Sequence, residues 1–167
     1  MNPFKGLAAT LVVSALALPA AAATATPVSA KGAAGQVLTV SNTKLLPAAG
    51  SWVTVSGKRF DETVGIYVAL CVVRPKGQVP SPCGGGVDKS GSSKASAWIS
   101  SNPPRYGIGL AMPYKIGGVF KVKIKVGPRI GKYDCRKVKC AVVAKADHMN
   151  PEYRGADVSV PVTFRKK

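Results

Sequence analysis

Short runs of alternating apolar and polar residues follow one another from residue 37 onward. Val37–Val40 is the first predicted strand, and Trp52–Ser56 alternates large apolar with small polar residues, which is the period of a half-buried strand. Gly65–Val73 is more continuously apolar, as expected for a central strand covered on both faces. Further strands are predicted at Ala95–Ser100, Val119–Val126, Cys140–Lys145 and Val158–Phe164. No window after the N-terminal segment has a convincing helical repeat. We therefore predict an all-β fold, an immunoglobulin-like seven-stranded antiparallel β-sandwich.

Two loop segments rich in Pro, Gly and Ser interrupt this pattern, at Pro75–Lys94 and Ser101–Gly118. The second begins with Pro103-Pro104 and ends with Gly117-Gly118, which is typical of a shaped loop. Aromatic rings give large contact areas at a small entropic cost, so aromatic residues here can line a pocket for a flat apolar ligand. For Trp98 we favour packing in the core, with the loop covering a sheet edge by its own side chains; for the tyrosines both interpretations stay open. The candidate pocket residues are Tyr67, Trp98, Tyr106, Met112 and Tyr114.

Phe120–Val126 shows the clearest alternation in the chain. Its Phe, Val and Ile residues are expected to face the core, which places three lysines in a row on the other face, about 6.8 Å apart. Such a row can bind a polyanion, although lysines also protect ordinary solvated strands against edge-to-edge aggregation. The candidate polyanion-binding residues are Lys121, Lys123, Lys125, Arg129, Lys132, Arg136, Lys137 and Lys139.

The net charge of +17, from 24 basic and 7 acidic residues, changes the range of plausible partners. An excess of this size favours polyanions such as an anionic cell-wall polymer, DNA or anionic lipid head groups. The alternative is that the charge only keeps an exported protein soluble.

The N-terminal residues have the features of an export signal. Lys5 precedes an apolar stretch from Leu7 to Leu18, and small residues then allow cleavage after Ala23 or after Ala30. We assign residues 1–30 to a signal peptide and leader, with small residues up to position 35 read as flexible, and residues 31–167 to one domain. The mature chain is expected to be a secreted or cell-wall-associated monomer without a transmembrane segment.

Cys71, Cys83, Cys135 and Cys140 are the four cysteines of the chain. In an exported protein they indicate disulfides rather than metal ligands, and four cysteines permit three pairings.

The order of these features resembles the neocarzinostatin family, the secreted apoproteins of enediyne antibiotics. The most specific match is Asp134-Cys135-x4-Cys140-x-Val142, and the resemblance extends from about Val37 to Phe164. It implies a seven-stranded sandwich with two local disulfides, Cys71–Cys83 and Cys135–Cys140. It also implies a non-enzymatic protein that holds a small aromatic or apolar ligand in a cleft. The short loop 127–133 and the basic charge differ from the antibiotic carriers, so the resemblance does not extend to the enediyne itself.

Catalytic and metal-binding patterns are weak. His148 is the only histidine, and without a second ligand at fixed spacing it is more typical of a turn. Gly84-Gly85-Gly86 does not open a helix, as a nucleotide-binding loop would. We therefore expect no enzymatic activity, no metal and no cofactor. The sequence favours a secreted small-ligand binding protein, with a basic cell-envelope module or a DNA-binding protein as alternatives.

Overall fold

The fold is built from strands that match the alternation of the sequence. The computed structural model describes residues 25–85 and 91–166, so most of the predicted signal peptide lies outside the described residues. The strands are β1 (Val28–Lys31), β2 (Val37–Val40), β3 (Ser51–Lys58), β4 (Ile66–Val72), β5 (Ser96–Ile99), β6 (Phe120–Val126), β7 (Arg129–Ile130), β8 (Tyr133–Asp134), β9 (Cys140–Ala146) and β10 (Val158–Val162).

Two antiparallel four-stranded sheets make up the sandwich. The first sheet has the order β1-β2-β3-β6 and the second the order β10-β9-β4-β5, while β7 and β8 form a separate two-stranded hairpin. The seven predicted strands correspond to β2, β3, β4, β5, β6, β9 and β10, and the all-β sandwich prediction is confirmed. The described residues contain one single-turn 3-10 helix and no α-helix, and none of their helices could cross a membrane.

Strand β1 corrects the prediction of a flexible leader up to residue 35. Its four residues pair in antiparallel register with β2, from Val28 opposite Val40 to Lys31 opposite Val37. Val28 and Ala30 also pack against the core. The small side chains gave no pattern to recognise, because main-chain hydrogen bonds to the edge of β2 define this strand. The folded domain therefore includes residues before position 31.

The core lies between the two sheets. In β6 the predicted inward residues Phe120, Val122, Ile124 and Val126 are all buried and the lysines between them are exposed, which confirms that prediction. Gly57 lies opposite Phe120 in the register, and a Cβ at this glycine would lie only 2.5 Å from Cζ of the ring. The glycine therefore makes room for the phenylalanine in the core.

Both disulfides have the pairing that the resemblance implied. Cys71 bonds to Cys83 and Cys135 to Cys140, and the described residues include no free cysteine. Cys71 lies on the outward face of the second sheet, in a small buried cluster with Ala69, Ala141 and Val143. Because this small cluster covers the outward face, β4 is buried on both faces, as its continuous apolar run predicted.

Candidate functional site

The outward face of the first sheet carries a row of cations. Lys121, Lys123 and Lys125 are exposed at alternate positions of β6, which is an edge strand of that sheet. Alternate residues of a strand are about 6.8 Å apart, so the ammonium groups form a row along one edge. We call the outward residues of β3 and β6 the basic face.

The neighbours of these lysines across the sheet are uncharged. The register places Lys121 opposite Ser56, Lys123 opposite Thr54 and Lys125 opposite Trp52. The Trp52 side chain is 55% exposed, so a large aromatic surface lies in solvent beside the last lysine. The basic face thus combines charge, hydroxyl groups and one exposed aromatic ring.

No carboxylate on the first sheet neutralises this charge. Strands β1, β2, β3 and β6 contain no Asp or Glu, while Lys31 and Lys58 add two further exposed lysines. In the described part of the chain, the salt bridges join Arg136 to Asp134 and Arg154 to Asp157, and neither involves a lysine of β6. Among residues 25–85 and 91–166, the lysine row thus has no carboxylate partner.

A basic cavity lies just beyond the end of β6. It has a volume of about 590 Å³ and is lined by Gly127, Pro128, Arg129, Asp134, Arg136, Lys137 and Ala48. Hydrogen bonds from the side chain and the backbone of Arg136 hold the pKa of the Asp134 carboxyl well below its ordinary value. Asp134 is therefore ionised and neutralises the charge of Arg136. The net positive charge of the cavity comes from Arg129 and Lys137.

Lys132 and Lys139 complete the predicted cationic set, but they do not line this cavity. Lys132 Nζ lies 5.8 Å from the ring centroid of Tyr133, which Arg74 approaches from 5.6 Å. Hydrogen bonding and the charge of Arg74, together with the charge of Lys132, lower the pKa of Tyr133. Lys139 is exposed and lies between Cys135 and Cys140, directly before β9. The structure therefore brings Arg129, Arg136 and Lys137 together, at the end of the strand that carries the lysine row.

An aromatic cluster forms on the outward face of the second sheet. Tyr67 and Trp98 face each other across β4 and β5, with ring centroids 5.9 Å apart, and Tyr106 lies 6.4 Å from Trp98. His148 joins them, because its Nδ1 and Nε2 each lie 2.6 Å from a tyrosine hydroxyl, of Tyr67 and Tyr106 respectively. Tyr67, Trp98, Tyr106 and His148 are named the aromatic cluster below.

The buried carboxylate of Asp147 holds the aromatic cluster in position. The Trp98 indole Nε1 donates a 2.8 Å hydrogen bond to Asp147 Oδ2, and the Met149 backbone N–H donates to Asp147 Oδ1. Burial, with contributions from Asp147 and Tyr106, raises the pKa of Tyr67 to about 12. Tyr67 is therefore a neutral phenol at physiological pH.

Met112 and Tyr114 lie outside the aromatic cluster. The backbone N–H of Met112 donates to Trp98 O, but its side chain is 45% exposed. Tyr114 is only 7% exposed, contacts Phe120 in the core and donates its hydroxyl proton to Val64 O. Trp98 is half-buried on the outward face, so the favoured interpretation that Trp98 packs in the core was wrong.

A second cavity, also of about 590 Å³, opens at the end of the sandwich where β4 begins. Its walls include Gln36, Phe60, Glu62, Ile66 and Tyr153. Glu62 is already engaged there, because its Oε1 accepts hydrogen bonds from the backbone N–H groups of Gly117 and Gly118. Neither this cavity nor the basic one is lined by the aromatic residues that the sequence suggested.

Asp147 and His148 were not predicted to belong to a site. His148 was interpreted as a turn residue, and both residues directly follow the apolar run that became β9. Because β9 pairs antiparallel with β4, residues after its end lie beside the start of β4, where Tyr67 is found.

Comparisons with known proteins give a limited result. No protein-family model matches the chain, and no curated protein matches it. Among solved structures, macromomycin is similar with a TM-score of 0.48 and 16% identity, over 78% of this chain and 100% of that one. This likeness does not show that the chain belongs to a family.

Proposed function

We propose that this protein is a non-enzymatic extracellular binding protein whose basic face and basic cavity hold a linear anionic polymer. The observation that carries this proposal is the exposed row of Lys121, Lys123 and Lys125 on a sheet without any acidic residue. The two disulfides are consistent with a location outside the cell. The polymers nearest to a protein in that location are those of the cell wall.

The geometry of β6 suits a linear ligand. Seven residues extend over about 20 Å, so the strand spans several repeat units of a polymer. The lysines present point charges along this length, and Arg129 and Lys137 continue the positive charge at its end. Trp52 offers an apolar surface for a sugar or polyol unit beside Lys125.

A polymer of alternating phosphate and glycerol units tests the proposal, because it has the charge of a nucleic acid without bases. We expect immobilised poly(glycerol phosphate) to retain the protein at low salt and neutral dextran not to retain it. Contact with Trp52 should let part of the retention persist at about 0.5 M salt, where pure phosphate contacts weaken. Absence of retention at low salt contradicts the proposal.

DNA is the competing polyanion. Reading the major groove usually requires a helix or a two-stranded ribbon. The described residues contain no α-helix, and the β7–β8 hairpin has only two residues in each strand. A duplex of equal charge should therefore bind no more tightly than poly(glycerol phosphate). Much tighter binding of the duplex would favour DNA as the ligand.

A small planar ligand is a second candidate, supported by the aromatic cluster. Three of the five predicted pocket residues, Tyr67, Trp98 and Tyr106, lie together, and Tyr106 is 63% exposed. A flat ring can stack on this surface. Solvent extraction of protein purified from its native host, followed by mass spectrometry, tests this candidate. A bound aromatic compound that is absent from a Tyr106→Ala variant supports it, and an extract without any ligand counts against it.

A further inference from the structure

The loop from Tyr106 to Met112 presents apolar side chains to solvent. Ile108 is 72% exposed, Leu110 47% and Met112 45%, and Tyr106 at its start is 63% exposed. None of the seven residues is charged. Large apolar groups gathered on one surface commonly mark a contact with a partner or a membrane. This segment is named the apolar loop.

The apolar loop is a folded structure. The backbone N–H groups of Leu110 and Ala111 both donate to Gly107 O, and two hydrogen bonds tie Met112 to β5, from its N–H to Trp98 O and from Ser100 N–H to its O. Gly107 itself is buried against the Trp98 ring. The backbone therefore holds Ile108 and Leu110 outward and prevents them from turning into the core.

The charges around the apolar loop indicate what kind of surface it binds. Residues 101–118 include Arg105 and Lys115 and no acidic residue. The whole chain carries a net charge of +17, so a second copy would be repelled. An anionic and apolar surface fits both properties, and the bilayer of an anionic phospholipid is such a surface.

We propose that the apolar loop inserts into the interface of an anionic phospholipid membrane. Ile108 and Leu110 would enter the boundary between head groups and acyl chains, and Tyr106 would lie at head-group level. Arg105 and Lys115 would contact lipid phosphates. The loop lies where β6 begins and the basic cavity where it ends, so membrane docking leaves that cavity exposed.

Co-sedimentation with lipid vesicles tests this inference. The mature protein, without its signal peptide, is mixed with large vesicles of phosphatidylcholine alone or with about one third phosphatidylglycerol. We expect the protein to bind the anionic vesicles. The double variant Ile108→Ser/Leu110→Ser should lower the partition coefficient about tenfold or more, because two apolar side chains are no longer buried in the bilayer.

Leu45 provides a matched control. It is 62% exposed at the opposite end of the sandwich, and its carbonyl accepts a hydrogen bond from Arg165, so it is also an apolar residue beside a cation. We expect Leu45→Ser to partition like the wild type and Leu110→Ser alone to partition less. Equal partitioning of these two variants would overturn the inference, since binding would then depend on charge alone.

Two further outcomes would also overturn it. The first is an absence of binding to anionic vesicles at low salt. The second is loop-dependent self-association in analytical ultracentrifugation without lipid, which would identify a second copy as the occupant. Retention on poly(glycerol phosphate) depends on the basic face and should be the same for the loop variants. Failure of the membrane inference can thus be distinguished from failure of the proposed function.

Discussion

Replacing the three lysines of β6 by glutamine tests whether the basic face binds a polyanion. Lys121, Lys123 and Lys125 are exposed, and they form no salt bridge with a described residue, so the substitutions remove charge without disturbing the core. If each lysine neutralises one phosphate, each contributes about 0.7 to the slope of log K against log salt for a single-stranded polymer. The triple variant should therefore reduce that slope by about 2.

The assay is fluorescence anisotropy of a labelled single-stranded oligothymidylate, which serves as a polyanion of uniform charge, over a series of salt concentrations. A reduction of the slope by about 2 means that the affinity advantage of the wild type falls about a hundredfold when the salt concentration rises tenfold. The structure offers a control triple at Lys44, Lys76 and Lys166, which are exposed and do not belong to any strand. The same glutamine substitutions there change the net charge equally.

We expect the control triple to change the slope by less than half as much as the β6 triple. Equal slopes for the two variants would refute the reasoning, because binding would then reflect net charge rather than a row. An unchanged slope in the β6 variant would refute it as well.

Three other predictions concern the rest of the molecule. Gly107→Ala places a Cβ about 2.6 Å from Trp98 Cζ3, so denaturant unfolding should show a loss of about 1–3 kcal/mol, whereas Gly127→Ala, with open space around its Cβ, should cost little. Burial raises the pKa of Tyr67 to about 12, and burial together with nearby carboxylates raises the pKa of Tyr114 further, so absorbance titration should show two late tyrosines. The contribution of Tyr67 to stability is fully present below about pH 10 and is lost as the pH rises toward 12. We propose that export removes the signal peptide after Ala23 and not after Ala30, because the later cut removes most of β1, and N-terminal sequencing of protein from the culture medium of its host tests this.

The alternation of apolar residues was enough to predict most of the sandwich. In β6 every second residue is buried, so the core positions and the lysine row follow from the period of a strand. Strand β1 could not be predicted in this way, because Val28–Lys31 contains small or polar side chains and is defined by main-chain pairing with β2.

The aromatic cluster depended on contacts that periodicity does not encode. The sequence suggested Tyr67, Trp98 and Tyr106, but the register of β4 with β9 is what brings His148 beside them. Tyr114 was misplaced, because it follows the apolar loop closely in sequence yet turns into the core toward Phe120. The basic cavity likewise depends on the close approach of the β7–β8 hairpin to the end of β6.

Mapping of amide chemical shifts tests the central claim most directly. Isotope-labelled protein is titrated with a short poly(glycerol phosphate) chain at moderate salt. We predict shifts for residues 121–125 of β6, for Trp52 and around Arg129 and Lys137, and little change at Tyr67. Shifts concentrated on the second sheet, or spread evenly over exposed lysines, would contradict the account.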